Sequence, residues 1–155
     1  MSDLVTLFQK LDYGPAPESD QPAQQWLEGH NRSFGFYLNG IWEMPQDTEL
    51  FSVANPATGE QLATCRQAGS REITQALSGA REAQPKWEKL TGHQRAKYIY
   101  ALAREMQQHS RVLSVLETLD NGKPFRESRD IDIPLAVRHF YHHAGWAQLV
   151  EEEYP

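Results

Sequence analysis

Asn39-Gly40 sits between two short apolar arms, in Phe34-Gly35-Phe36-Tyr37-Leu38-Asn39-Gly40-Ile41-Trp42-Glu43. That dipeptide tolerates two successive positive φ angles, which a two-residue hairpin turn needs and a helix forbids. A second strand pair follows. Leu50, Phe51, Val53 and Ala54 form one arm, Asn55 to Gly59 the turn, and Gln61 to Cys65 the return. Beyond residue 66 the strand signal stops and helical spacing takes over. The expected class is therefore α+β, with β-hairpins first and four helices after them.

The helices are punctuated by their own chemistry. Ser70 is placed to cap the first, whose apolar face is Ile73, Ala76, Leu77, Ala80 and Ala83, and Pro85 is expected to stop it. Thr91-Gly92-His93-Gln94 has capping-box spacing, and Tyr98, Ile99, Leu102, Ala103 and Met106 read as the buried stripe of the second helix. Ser110 opens a third, with Leu113, Leu116 and Leu119 inward and Asn121-Gly122 and Pro124 at its end. The last begins near Asp130 to Pro134, with Ile133, Val137, Phe140, Ala144 and Ala147 on one face.

Residues 1–33 differ from this. Pro15, Pro17 and Pro22 interrupt them, Leu4, Leu7, Phe8 and Leu11 recur at helical spacing, and Asp20 could cap a short helix through Trp26 and Leu27. This stretch reads as an N-terminal extension laid over something else, ahead of a main unit at 34–155.

Several function classes are disfavoured. Fifteen Lys and Arg against 21 Asp and Glu leave a net charge of −6, opposite to the basic face that nucleic acid selects. No apolar run approaches the roughly 18 residues of a membrane span. The first residues lack a secretory pattern. One cysteine, Cys65, makes neither an internal disulfide nor a zinc cluster. A reducing, cytoplasmic setting is expected. Only 39% of residues are apolar, below the usual share of about 45–50%, so part of the burial should come from a partner or from further sequence.

Five segments in order resemble the aldehyde dehydrogenase superfamily: Phe36 to Trp42, Asn55-Pro56-Ala57-Thr58-Gly59-Glu60, the helical positions Ala80 to Ala83 with Trp87 and Arg95, Glu117 to Pro124, and His143 to Ala147. The segment Leu7 to Trp26, with Asp12-Tyr13-Gly14-Pro15, is similar to the extension of its family 16 branch. The resemblance implies an N-terminal portion of the α/β aldehyde dehydrogenase fold, truncated before its dinucleotide-binding sheet. It implies NAD or NADP as cofactor, and oxidation of an aldehyde to a carboxylic acid through a thiohemiacetal on a cysteine downstream of this chain. It also implies a homodimer or higher homo-oligomer, with no catalytic or cofactor-binding residue in this stretch. In some members a carboxylate at the position of Asp120, with main-chain carbonyls at Val53 and Ala54, coordinates a monovalent cation. Hard oxygen ligands suit such an ion. Some members of the branch lack the catalytic cysteine.

The remaining candidates read as structural. Cys65 falls in a strand, as a packed residue rather than a nucleophile. His139 and His143 share a helix face with His142 beside them, yet no third ligand stands out. Arg81, Arg95 and Lys123 fall on different elements, so no phosphate clamp follows. Glu151, Glu152 and Glu153 read as a solvated helix end. The rival reading is a non-catalytic helical interaction module, or part of a pseudoenzyme, whose stripes at Ile99 to Met106 and Ile133 to Ala147 bind a partner subunit.

Overall fold

The computed structural model describes residues 19–153. The helical spacing at Leu4 to Leu11, and most of the segment similar to the family 16 branch, lie outside them. The described chain begins with α1 (Gln21–Gly29), with Asp20 at its N-cap and Pro22 in its first turn. The Asp20 carboxylate accepts from Gln24 Nε2 at 2.9 Å rather than from a backbone N–H. Ala23 and Leu27 are buried, so α1 contributes to the core instead of lying over it. The chain leaves α1 through Asn31 and Arg32 at φ 53° and 49°. The Arg32 guanidinium reaches back to Gln24 Oε1 at 2.7 Å and across to the Leu62 carbonyl at 3.1 Å. That pairing ties the exit turn to the sheet.

Two small sheets follow. The hairpin of β2 (Phe36–Leu38) and β3 (Ile41–Glu43) is antiparallel and pairs Leu38 with Ile41 around the turn. Asn39 and Gly40 take φ 53° and 84° there, the geometry expected of Asn-Gly. The other sheet is β1 (Ser33–Phe34), β5 (Gln61–Arg66) and β4 (Leu50–Ala54), in that order. The β4–β5 hairpin falls where the turn residues put it, with an irregular register between Val53 and Ala54. The parallel pairing of β1 with β5 is new; two residues are too few to leave a periodic trace.

Four longer helices and a π-helical turn complete the chain. α2 (Ser70–Glu88) has Gly69 at its N-cap, so Ser70 is the first helical residue and not the cap. The Glu72 carboxylate closes that end by accepting from Gly69 N–H at 2.9 Å. Pro85 does not stop α2, which runs on to Glu88. The proline removes one N–H and crowds the preceding turn, but residues 81–89 are all exposed, so water can satisfy the freed carbonyl. In α3 (Gly92–Gln108) the capping box is complete: Thr91 Oγ1 accepts from Gln94 N–H at 3.2 Å, and Gln94 Oε1 from Thr91 N–H at 2.9 Å. α4 (Ser110–Asn121) ends on Gly122 at φ 82°, the left-handed stop that Asn121-Gly122 announces. A single turn, α5 (Phe125–Glu127), leads into the π-helical turn Ser128–Asp132 and then α6 (Ile133–Glu153). Thr118 Oγ1 and buried Ser128 Oγ lie 3.0 Å apart, joining that turn to α4.

The pairing of α3 with α6 is the most extensive between helices of the described residues. It is built on small residues: Ala96, Ala103 and Ala144 are at most 1% exposed. This corrects the stripe expected on α3 in part: Ala103 is buried and Ile99 and Met106 are half-buried, as expected. Tyr98 and Leu102 point outward, 62% and 48% exposed, while Ala96 and Ala103 face inward. On α6 the expected face holds, with Val137 and Ala144 buried. α2 is the outlier, since Ile73 and Leu77 on its apolar face remain more than half exposed.

Candidate functional site

β4 and β5 present Val53, Leu62 and Cys65 toward Leu113, Leu116 and Asp120 of α4 and Ile133 of α6, around a cavity of about 420 Å³. The walls are chiefly aliphatic. Polar groups enter as the Cys65 thiol and the carboxylates of Glu117 and Asp120. Burial pushes the Cys65 thiol above its ordinary range, and the charge of Asp120 adds to that. A thiol so held is mostly protonated at neutral pH, the reverse of what a nucleophile needs.

Of the residues proposed for a cation, Val53 and Asp120 line this one cavity, whereas Ala54 is exposed and not part of its wall. The irregularity at Val53 and Ala54 is where strand pairing leaves backbone groups outside the ladder. Asp120 is exposed and makes no hydrogen bond or ion pair among the described residues. Its neighbour Glu117 is committed elsewhere. Lys123 Nζ lies 3.4 Å from Glu117 Oε1 and 2.7 Å from Asp132 Oδ2, and the hydrogen bond to Asp132 raises the lysine pKa. The donor set suits a hard monovalent ion in kind.

The other candidates are not brought together. The rings of His139 and His143 stack at 6.4 Å, and His142 meets His143 edge-on at 5.3 Å, all three exposed. Among the described residues no group of three or more His, Cys, Asp or Glu could hold a metal ion. Arg81 lies on α2, Arg95 on α3, where it donates to the Leu90 carbonyl, and Lys123 beyond α4 in its carboxylate pair.

A dinucleotide does not fit the one strand-to-helix connection of the described residues, the short link Gln67 to Gly69. Between β5 and α2, the helix N-terminus that would receive a phosphate is taken by the Glu72 carboxylate. The space beside it is lined by Asp47, Glu49 and Glu72, with Arg71 alone opposing them. Glu72 is held below the usual carboxylate range by its own backbone N–H, by Arg71 and by the Gly69 N–H. That end of α2 is therefore anionic at neutral pH. Among the described residues no helix is long and apolar enough to cross a membrane.

Two hairpins followed by helices packed through small residues form a partial version of a known fold, and residues 42–154 match the aldehyde dehydrogenase family. The chain belongs to that family. DhaS of Bacillus subtilis (strain 168) is 39% identical over 129 residues, which are 82% of this chain and 26% of that protein. Aldehyde dehydrogenase B of Escherichia coli (strain K12) is 36% identical over 115 residues, 74% of this chain and 22% of that one. The aldehyde dehydrogenase of Bacillus cereus, solved as its NAD+ complex, superposes with a TM-score of 0.71 at 35% identity over 75% of this chain and 24% of that one. The chain spans about a quarter of the length of the curated relatives it matches.

Proposed function

We propose that this chain is the N-terminal scaffold of an NAD(P)-dependent aldehyde dehydrogenase, and that its own residues do no chemistry. The observation that carries the reading is the family match over residues 42–154 combined with a span of 26% and 22% of two curated relatives. The substrate of the whole protein would be a small aldehyde, oxidised to its acid, and its assembly a homodimer or larger. The nicotinamide cofactor, NAD or NADP, accepts the hydride when bound. The acidic N-terminus of α2 supports placing that cofactor elsewhere. Cys65, with its thiol pKa raised, supports placing the nucleophile elsewhere.

Within the scaffold, Asp120 would coordinate a monovalent cation with the main-chain carbonyls of Val53 and Ala54. That part is tested by thermal unfolding in LiCl, NaCl and KCl at constant ionic strength. A Tm that depends on the cation, and loses that dependence in Asp120→Asn, supports it; a Tm indifferent to the cation refutes it.

The scaffold reading is tested by two assays. The purified chain, given NAD or NADP and aldehydes of graded length, should reduce no cofactor. Residues 42–154 grafted in place of the matching segment of Escherichia coli aldehyde dehydrogenase B should leave its aldehyde oxidation in place. Oxidation by the chain alone, abolished by Cys65→Ser, would overturn the reading.

One observation favours a second reading, a non-catalytic interaction module. The α2 face with Ile73 and Leu77 lies open beside a hairpin whose Ile41 and Trp42 are also exposed. A module of this kind should unfold in a sharp transition alone, whereas a scaffold separated from its parent should unfold with reduced cooperativity and bind hydrophobic dyes at its open faces.

A further inference from the structure

The rings gathered at the end of α1 take no part in the readings above. Trp26 and His30 lie one helical turn apart, with ring centroids at 4.3 Å. The His30 ring is fixed, because its Nδ1 lies 2.7 Å from the Trp26 carbonyl. A carbonyl only accepts, so Nδ1 is the donor of this hydrogen bond. Phe34 of β1 stacks on Trp26 at 5.4 Å with planes 14° apart. Its ring is 5.8 Å from that of His30. Trp42 of β3 and Met44 just beyond it join them, with Asn31 from the exit turn of α1 and Ser33 of β1, in lining a cavity of about 320 Å³. Gly35 makes that closure possible: a Cβ there would run into the Glu43 carbonyl and come within 2.6 Å of Met44 Sδ. The lining is thus assembled from three elements by a hydrogen bond, a ring stack and a required glycine.

We propose that this cavity binds a quaternary ammonium group. Its chemistry narrows the ligand. No Asp, Glu, Lys or Arg lines it. An anion would find no basic partner there and would face a chain of net charge −6. A primary ammonium would surrender its hydration without a carboxylate to replace it. A flat neutral ring would gain nothing from that charge. A trimethylated nitrogen is weakly hydrated, spreads its charge over methyl groups and donates no hydrogen bond. It is satisfied by aromatic faces and a thioether, which Trp26, Phe34, Trp42 and Met44 supply beside the uncharged side chains of Asn31 and Ser33. The volume lies at the low end of ligand pockets, roughly 300–1,000 Å³, and suits a headgroup better than a large ligand. Trp26 and Trp42 are 41% and 66% exposed, so the indoles are reachable from solvent.

The test uses the full 155-residue chain and two probes of equal shape: choline, and its neutral isostere 3,3-dimethylbutan-1-ol. Binding is read by NMR as the saturable upfield shift of the methyl protons that ring currents impose, at ionic strength fixed with NaCl. Choline should bind, and the alcohol should bind about two- to fivefold more weakly, the ratio that an exposed cation–π contact supplies. Trp42→Leu keeps an apolar wall and removes a π face, and should weaken choline by a similar factor with little change for the alcohol. Trp26→Leu does the same from α1, with far-UV circular dichroism confirming that each variant is folded. Equal affinity for choline and the alcohol would overturn the proposal, leaving a merely apolar pocket. So would the absence of any saturable shift, or choline binding unchanged in both folded variants.

Discussion

The crossing of α3 and α6 makes opposite predictions for two glycines. Gly92 opens α3 against the α6 backbone. A Cβ there would collide with the Ala147 carbonyl oxygen and sit 3.2 Å from both the Ala147 carbonyl carbon and Gln148 Cα. These are main-chain atoms, so no rotamer change relieves the clash and the helices must separate. Overpacking of this kind costs about 1–3 kcal/mol. Alanine returns at most about 1 kcal/mol of helix propensity, less at a first position. Gly92→Ala should therefore lose a net ~1–2 kcal/mol. Gly145 lies inside α6 with no atom within 4 Å of its would-be Cβ, so Gly145→Ala should gain roughly 0.5–1 kcal/mol from backbone entropy alone. With a urea m-value of about 1–3 kcal/mol/M, the midpoints should move in opposite directions, by about 0.3–2 M for Gly92→Ala and about 0.2–1 M for Gly145→Ala. Urea unfolding followed by circular dichroism reads both. A Gly92→Ala midpoint at or above wild type would refute the close crossing, whatever Gly145→Ala does.

Other outcomes follow from the polar groups and the open faces. Thr91→Ala removes the hydroxyl that caps α3 and should cost about 1 kcal/mol in the same urea assay, with Thr91→Ser restoring most of it. Glu72 has a folded pKa below its unfolded value of about 4.3. Its stabilisation is thus complete above that value and lost as pH falls through the lowered folded pKa; wild type should exceed Glu72→Gln at pH 7 and converge with it in acid, and a gap that widens on acidification would contradict the assignment. Cys65 should react with a disulfide reagent at pH 7.5 more slowly than free cysteine, and Asp120→Asn should speed it modestly by removing the charge that raises the thiol pKa; a rate above that of free cysteine would sink this account. Ile73→Glu with Leu77→Glu should change stability by no more than about 0.5 kcal/mol each in the isolated chain, since both sites are exposed, yet should abolish the activity of the grafted dehydrogenase; an active graft would show that this face is not covered in the parent.

Features set within a few residues were legible in the sequence. The Asn39-Gly40 turn, the Thr91–Gln94 capping box and the Gly122 stop each depend on local backbone chemistry, and each is found where it was expected. Features that need a distant partner were not. Nothing local tells Phe34 to pair with Cys65, or brings Cys65 within electrostatic reach of Asp120, 55 positions away. One misreading came from weighting residue size and another from treating a proline alike in every setting. On α3 the large residues Tyr98 and Leu102 were counted inward with Ala103, which is buried, while Gly92 and Ala96 were passed over; Gly92, Ala96 and Ala103 are small residues at four- and seven-residue spacing that let helices approach closely. Pro85 was read as a stop, although a proline on a solvated stretch of helix costs less than one whose freed carbonyl is buried.

The distribution of residue sizes also bears on function. Five of the nine buried hydrophobic residues of the described chain are alanines: Ala23, Ala63, Ala96, Ala103 and Ala144. About half of the large apolar side chains lie outside, among them Ile41, Trp42, Ile73, Leu77, Leu102 and Trp146, each more than 40% exposed. Fully burying such a side chain is worth about 1.5–3 kcal/mol, so a core this rich in alanine leaves much of the available hydrophobic stabilisation unused. That pattern is costly for a body that must stand alone. It is economical for one whose helices hold each other at close range and turn their large residues toward another surface. The scaffold and interaction readings share this physics. They differ in whether the covering surface is continuous with the same chain, and the graft, which joins the two covalently, is where that difference becomes measurable.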